Sequence, residues 1–315
     1  MGEAAPLFGT DAAPVPAGAA GEWFVGAGGA RLRAALVPAK GGARGAVVLS
    51  GGRTEPIEKY FEVAGELAAR GFVVVIHDWR GQGLSQRLLP ERLKGHAVGY
   101  DDVLGDYRAL IDAFEARMPK PWIALGHSMG GCLTALALAK GETRFSAAVL
   151  SAPMFGIFTP PVPPQIAKAL AIFMSGIGFG GSLVVGAQLE SPATPFEANQ
   201  LTHDPARYKR NVDQILAYRD LALGPPTWGW LDFAFQAISE LRNGPGPTAV
   251  QIPVTVLAAG ADSVADNRQL RLVTDRFPKG EFIEIAGSYH EILQERDDIR
   301  AVFWREFDAL AATLA

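Results

Sequence analysis

The chain has 315 residues, 49% of them hydrophobic and 20% charged, with 29 basic and 33 acidic residues and a net charge of −4. Such a composition is that of a globular protein with a sizeable core, and the lack of any basic run or stripe argues against nucleic acid as a partner. A single cysteine, Cys132, rules out an internal disulfide, and the first residues have neither a basic n-region nor an apolar h-region, so the expected location is cytoplasmic, without a signal peptide.

Residues 1–20, rich in Ala, Pro and Gly, are expected to form an extended arm. The runs 23–25 and 32–37 flank a glycine-rich turn and predict an antiparallel hairpin. An apolar run at 46–50 predicts a buried strand that leads into Gly51-Gly52-Arg53 and a helix over about 56–70, closed by Gly71. The run 72–76 has no polar alternation, as in a parallel sheet covered on both faces. A turn at 78–85 follows, then a helix over about 100–117, a strand at 122–125, a helix at 130–140 and a strand at 147–151. This alternation predicts an α/β fold with a doubly wound, mainly parallel sheet.

The alternation breaks at 154–235, where prolines at 160, 161, 163, 164, 192 and 195 and the pair Trp228 and Trp230 predict an inserted cap. It resumes with a strand at 254–258, a helix at 267–277, a strand at 281–285 and a helix at 297–314. The expected division is a core of 1–153 and 236–315 with a cap of 154–235. Within the cap, 169–187 holds 19 residues without a charge, interrupted by five glycines. That length can span a bilayer, but the glycines weaken a helix; the stretch is read as an apolar lid over a greasy substrate, with contact of the lid at the membrane surface left open.

The pentapeptide Gly126-His127-Ser128-Met129-Gly130 lies between a predicted strand and a predicted helix, the context of a nucleophile elbow. A serine hydroxyl needs a neighbouring base. Of the five histidines, His290 follows the last predicted strand, where sites form in open α/β sheets. His127 lies within the elbow, His77 ends a strand, and His96 and His203 are read as structural. The base needs a carboxylate; Asp262, four residues past the strand 254–258, is favoured over Asp266, which reads as a helix N-cap. The order Ser128, Asp262, His290 is the α/β-hydrolase order. The oxyanion donors are expected to be the backbone N–H of Met129 and that of Arg53, with Gly52 the alternative. The Arg53 side chain is read equally as a partner for a phosphate or for Glu55 or a surface acid. Cys132 reads as a small buried residue. No metal constellation appears, and the chemistry needs no cofactor.

These residues resemble the monoacylglycerol lipase and bacterial lysophospholipase branch of the α/β-hydrolases. Gly51-Gly52-Arg53-Thr54-Glu55 stands where that branch has a His-Gly-x-Gly-Glu loop, Asp78-Trp79-Arg80-Gly81-Gln82-Gly83-Leu84-Ser85 is similar to its Asp-x-Arg-Gly-x-Gly-x-Ser turn, and the elbow matches as well. Further similarity lies at 152–157, 201–203, 207–211, 224–228, 264–267 and 289–293. The resemblance covers about 25–312, and the stretch 166–187 matches least. It implies an eight-stranded hydrolase sheet with a helical cap and hydrolysis of a carboxylic ester of a single-chain lipid, without assigning an oligomeric state. The same triad also serves small-ester esterases, thioesterases, acyltransferases and peptidases; a non-catalytic binding protein is the remotest reading, since Ser, acid and His are all present.

Overall fold

The uninterrupted apolar runs become the centre of a nine-stranded sheet. The computed structural model describes residues 2–189 and 195–314; residues 190–194, with the cap residue Pro192, lie outside the described residues. In chain order the elements are β1 (Glu3–Ala5), β2 (Ala20–Val25), β3 (Arg31–Val37), β4 (Gly45–Ser50), α1 (Phe61–Ala69), β5 (Phe72–His77), α2 (Asp101–Phe114), β6 (Trp122–His127), α3 (Ser128–Ala139), β7 (Ala147–Ser151), α4 (Pro164–Gly176), α5 (Pro205–Ala217), α6 (Trp228–Asn243), β8 (Val254–Ala259), α7 (Asn267–Thr274), β9 (Gly280–Ile285) and α8 (Asp297–Ala312). The strand order is β1-β2-β3-β5-β4-β6-β7-β8-β9. From β5 onward every pairing is parallel, while β1, β2 and β3 add an antiparallel edge.

Strands β4 to β8 are buried along their full length, which is why their sequences lack polar alternation. One apolar layer lies between the sheet and α2, α3 and α6, the other between the sheet and α1 and α8. Cys132 is fully buried in the first layer, and burial pushes its thiol well up.

Among the described residues nine strands replace the eight expected. Glu3, Ala4 and Ala5 have no strand signature of their own; they are extended because β2 offers an open edge and they pair with it. The arm is also fastened further along. Phe8 stacks on Tyr218 with ring centroids 4.5 Å apart, and Gln214 and Tyr218 donate hydrogen bonds to the carbonyls of Phe8 and Gly9.

The break in alternation corresponds to α4, α5 and α6, inserted between β7 and β8. Helix α6 spans the expected boundary at 235: it packs on α4 and also on α3 of the sheet layer. Residues 169–187 do not form one helix, since α4 ends at Gly176 and the chain turns at Gly178, whose φ of +88° suits a residue without Cβ. Among the described residues no helix is long and apolar enough to cross a membrane.

Candidate active site

Strand β6 ends at His127 and α3 begins at Ser128, so the serine stands at the carboxyl edge of the sheet's central strands. Ser128 has φ +49°, a left-handed conformation that costs on the order of 1–3 kcal/mol outside glycine. Its flanking glycines allow the crossing. A Cβ on Gly126 would meet the Gly131 Cα at 2.7 Å, and one on Gly130 would meet the Ser50 carbonyl oxygen at 2.2 Å. The elbow therefore exists because strand, helix and the loop after β4 approach too closely for side chains.

His290 Nε2 lies 2.9 Å from Ser128 Oγ, and His290 Nδ1 lies 2.7 Å from Asp262 Oδ2. The loops carrying the acid and the imidazole are tied together: the Gly260 N–H donates to Ile285 O and the Ala261 N–H to Ser288 O, both at 2.9 Å. The other oxygen of Asp262 accepts from the backbone N–H groups of Val264 and Ala265. Burial works against an ionised Asp262, but the His290 contact and the two N–H donors outweigh it and hold the carboxyl below its usual range. An ionised Asp262 can only accept, so Nδ1 donates and the Nε2 lone pair faces Ser128.

The remaining carboxylate and histidines have other partners. Asp266 caps α7, accepting from the Arg268 N–H at 3.0 Å. His77 meets Ser50 Oγ at 3.0 Å and His127 meets the Ser151 carbonyl at 3.1 Å; burial lowers each imidazole to about 4. His96 pairs with Thr227 and His203 with Glu295, and neither lines the cavity above Ser128.

Opposite the elbow, the loop 51–55 is held by a set of contacts that leaves one donor over. The Gly52 N–H donates to the Glu55 carboxylate and the Thr54 N–H to Gln82 Oε1 at 2.7 Å. The Arg53 N–H makes no hydrogen bond among the described residues. Trp79 Nε1 donates to Gly51 O at 2.9 Å and Gln82 Nε2 to Gly52 O at 3.2 Å, so the turn after β5 clamps the loop. A Cβ on Gly52 would lie 3.1 Å from Ser128 Cβ, which puts the loop against the serine. Gly52, the alternative donor, is engaged; Arg53 is not. The Met129 N–H lies in the first turn of α3, where no preceding turn supplies an acceptor, and the positive end of the helix dipole adds to it.

Sequence reasoning missed the residues behind this loop. Lys59 donates to Glu55 at 2.8 Å and to Glu291 at 2.6 Å, and Tyr60 Oη donates to Glu55 at 2.6 Å. Burial works against ionisation of Glu55, yet Lys59, His127 and Tyr60 hold it down at about 2. Burial pushes the adjoining Glu291 up. One ammonium thus joins the anchor of the loop 51–55 to the residue after His290. The Glu at the end of the glycine loop and the Gln within the turn at 78–85 stood inside matched motifs, but their partners lie in other turns and leave no local pattern.

Above Ser128 a cavity of about 670 Å³ opens between the sheet edge and the helices inserted after β7. Its walls are largely apolar, with Met154, Ile157, Leu170, Val184 and Trp228 among them, and Ser128, Met129 and His290 at its floor. This is the size and character of a small-molecule site.

Comparison with known proteins places this geometry in a lineage. The sequence pattern of the family described as serine aminopeptidase, S33, matches residues 41–297. The chain is similar to lysophospholipase L2 of Escherichia coli, 34% identical over 81% of this chain and 77% of that one. It is also similar to a monoacylglycerol lipase of Mycolicibacterium smegmatis, 28% identical over 86% of this chain and 90% of that one. A soluble variant of monoglyceride lipase from Saccharomyces cerevisiae has the same fold, with a TM-score of 0.74 at 18% identity over 93% and 94% of the two chains. The chain therefore belongs to the serine aminopeptidase S33 family and is a hydrolase with the α/β-hydrolase fold.

Proposed function

We propose that the protein hydrolyses a carboxylic ester of a single-chain lipid, of the lysophospholipase or monoacylglycerol lipase type, through an acyl-enzyme on Ser128. The observation that carries this reading is the Ser128–His290–Asp262 hydrogen-bonded line at the floor of an apolar cavity. Ser128 Oγ attacks the ester carbonyl while its proton passes to His290 Nε2. The tetrahedral oxyanion accepts hydrogen bonds from the N–H groups of Arg53 and Met129, each worth roughly 3 kcal/mol in the transition state. The intermediate collapses, the ester C–O bond breaks, and the leaving alcohol takes the proton from His290. A water then attacks the acyl-enzyme, giving its proton to His290. The second collapse releases the fatty acid and returns that proton to Ser128 Oγ. Asp262 holds the imidazole and offsets its charge throughout.

The relatives in Escherichia coli and Mycolicibacterium smegmatis support a lipid ester. The cavity's charges disfavour the amide reading that the family's description suggests. An aminopeptidase must hold an α-ammonium, but the carboxylates lining this cavity, Glu55 and Glu291, are both taken up by Lys59, and Arg53 adds a cation. The division into a core and a cap at 154–235 belongs to the same proposal, with the inserted helices selecting the acyl chain.

Helix α4 buries only Ala167 and Ala171 among its residues, while Phe173 and Phe179 are more than half exposed, at 60% and 54%. A cytoplasmic enzyme that rests this face on the inner membrane to reach its substrate fits that exposure. Turnover of lysophospholipids, monoacylglycerols, short p-nitrophenyl esters and aminoacyl amides tests the substrate reading: the single-chain lipids are expected to be preferred, and a preference for the amides overturns it.

A further inference from the structure

Among the described residues the side chain of Arg53 is a cation without an anion. Nη2 donates to the Gly224 carbonyl, the guanidinium carbon lies 5.1 Å from the centroid of the Trp230 ring, and Nε is buried without a partner. Nη1 has no hydrogen bond among the described residues and is not fully buried. Arg53 lines the cavity above Ser128. Burial lowers the guanidinium, to about 10, with no charge among the described residues contributing; it is a full cation at neutral pH.

Other covered arginines of the chain have more of their donors in use. Arg33 is fully buried and forms bidentate and single contacts with Glu58 and Asp78. Arg87 directs both terminal nitrogens at backbone carbonyls of Gly81, Gly83 and Ala222, although its Nε, like that of Arg53, is buried without a partner among the described residues. A guanidinium has five N–H donors in a planar fork suited to phosphate and carboxylate oxygens, and at Arg53 one of them is in use. Desolvating a charge without pairing it is costly, and the cost is recovered if the substrate brings the counter-charge.

We infer that Arg53 is the head-group anchor of the site: its guanidinium pairs with the phosphate of an anionic single-chain lipid while its own backbone N–H receives the oxyanion of the same molecule. The inference rests on the lipid-ester reading above. It makes the site selective for a lysophospholipid with a phosphate on the leaving alcohol over a monoacylglycerol with the same acyl chain. One residue then registers both ends of the glycerol unit, the ester carbonyl through its main chain and the phosphate through its side chain.

The test compares kcat/KM for a lysophosphatidylglycerol and a monoacylglycerol of the same acyl chain in the wild type, R53Q and R53K. The ratio is read within each enzyme, so any disturbance of the backbone donor, which both esters feel, cancels. In the wild type the phospholipid is expected to be favoured, and R53Q is expected to cut that ratio by about 10- to 100-fold, as for loss of a charge-assisted hydrogen bond. R53K, which keeps the charge without the fork, should fall between. A ratio that R53Q leaves unchanged overturns the inference, as does a wild type that treats the two lipids alike. Failure of the wild type to cleave either lipid contradicts the lipid-ester reading itself. A measurement without any variant covers a misfolded R53Q: glycerol 1-phosphate, inorganic phosphate and glycerol as inhibitors of monoacylglycerol hydrolysis by the wild type. Inhibition by glycerol 1-phosphate well below the concentration needed for the other two supports the head-group pairing. Equal inhibition by glycerol 1-phosphate and inorganic phosphate reduces the site to a generic anion contact, and equal inhibition by glycerol removes the anion altogether; both overturn it.

Discussion

The edge of the sheet and the helices inserted after β7 face each other across one cavity, and they are built on opposite rules. At the sheet edge, the triad and the backbone of the loop 51–55 are each held by several contacts. The serine is pinned by glycine crossings, the imidazole by Asp262 and the β8–β9 loop contacts, and the loop 51–55 by Trp79, Gln82 and Glu55. In the inserted region, α4 turns most of its residues to solvent, and Ile166, Ile172, Phe173 and Ile177 stand exposed. Chemistry needs fixed distances, whereas a greasy chain needs only an apolar wall, so precision is spent on one side of the cavity and not on the other.

Perturbing the triad or the clamp on the loop 51–55 should therefore lower the rate for every substrate, whereas perturbing the inserted helices, or the Arg53 side chain that reaches them at Gly224 and Trp230, should change the ranking of substrates. The largest effect is expected from Ser128→Ala, which removes the nucleophile and should lower kcat roughly ten-thousandfold to a millionfold for lipid and short esters alike, measured by steady-state kinetics. Asp262→Asn should follow with about a thousandfold to ten-thousandfold loss, because the amide no longer secures the tautomer that turns Nε2 toward the serine. Gln82→Ala unclamps the loop that presents the Arg53 N–H and should cost about tenfold to a hundredfold in kcat with little change in KM. An effect confined to KM would remove Gln82 from that role.

Phe173→Asp on α4 reverses the pattern. It should lower turnover of dispersed long-chain lipid by about tenfold while leaving a soluble short p-nitrophenyl ester close to wild type, since an exposed apolar side chain contributes to surface contact rather than to the reacting centre. Equal loss on both substrates would erase the contrast between the two regions.

The smallest effect concerns stability and pH. His77 is depressed by burial from its ordinary 6.5 to about 4. The folded protein therefore favours the neutral ring, and the unfolded chain binds the extra proton first as pH falls. The contribution is complete above about 6.5 and is lost progressively as pH falls toward 4. His127, depressed in the same way, adds to the slope. Urea denaturation at a series of pH values should show midpoints declining through this window, with a shallower decline in His77→Gln.

The difference between the two regions also decided what could be read from the sequence. Ser128, Asp262 and His290 were legible because each follows a strand in a fixed order, and the strands announce themselves as unbroken apolar runs such as 72–76. Arg53 was expected as a donor because a glycine loop follows the first central strand, and its N–H makes no hydrogen bond among the described residues. Gln82, Glu55, Lys59 and Glu291 were not, because their partnerships join turns far apart in the chain: Lys59 and Glu291 are 232 residues apart. The arm's strand at Glu3–Ala5 was missed because its extension comes from the edge of β2 rather than from its own residues. The inserted helices gave only their composition, since exposed apolar residues on α4 satisfy no periodic rule that reveals what they touch.

The most direct test of the account is the site of covalent modification. After reaction with a fluorophosphonate and proteolysis, mass spectrometry should find the adduct on Ser128, with labelling and ester turnover lost in parallel. Complete inactivation with Ser128 unmodified, or full activity in Ser128→Ala, would contradict it.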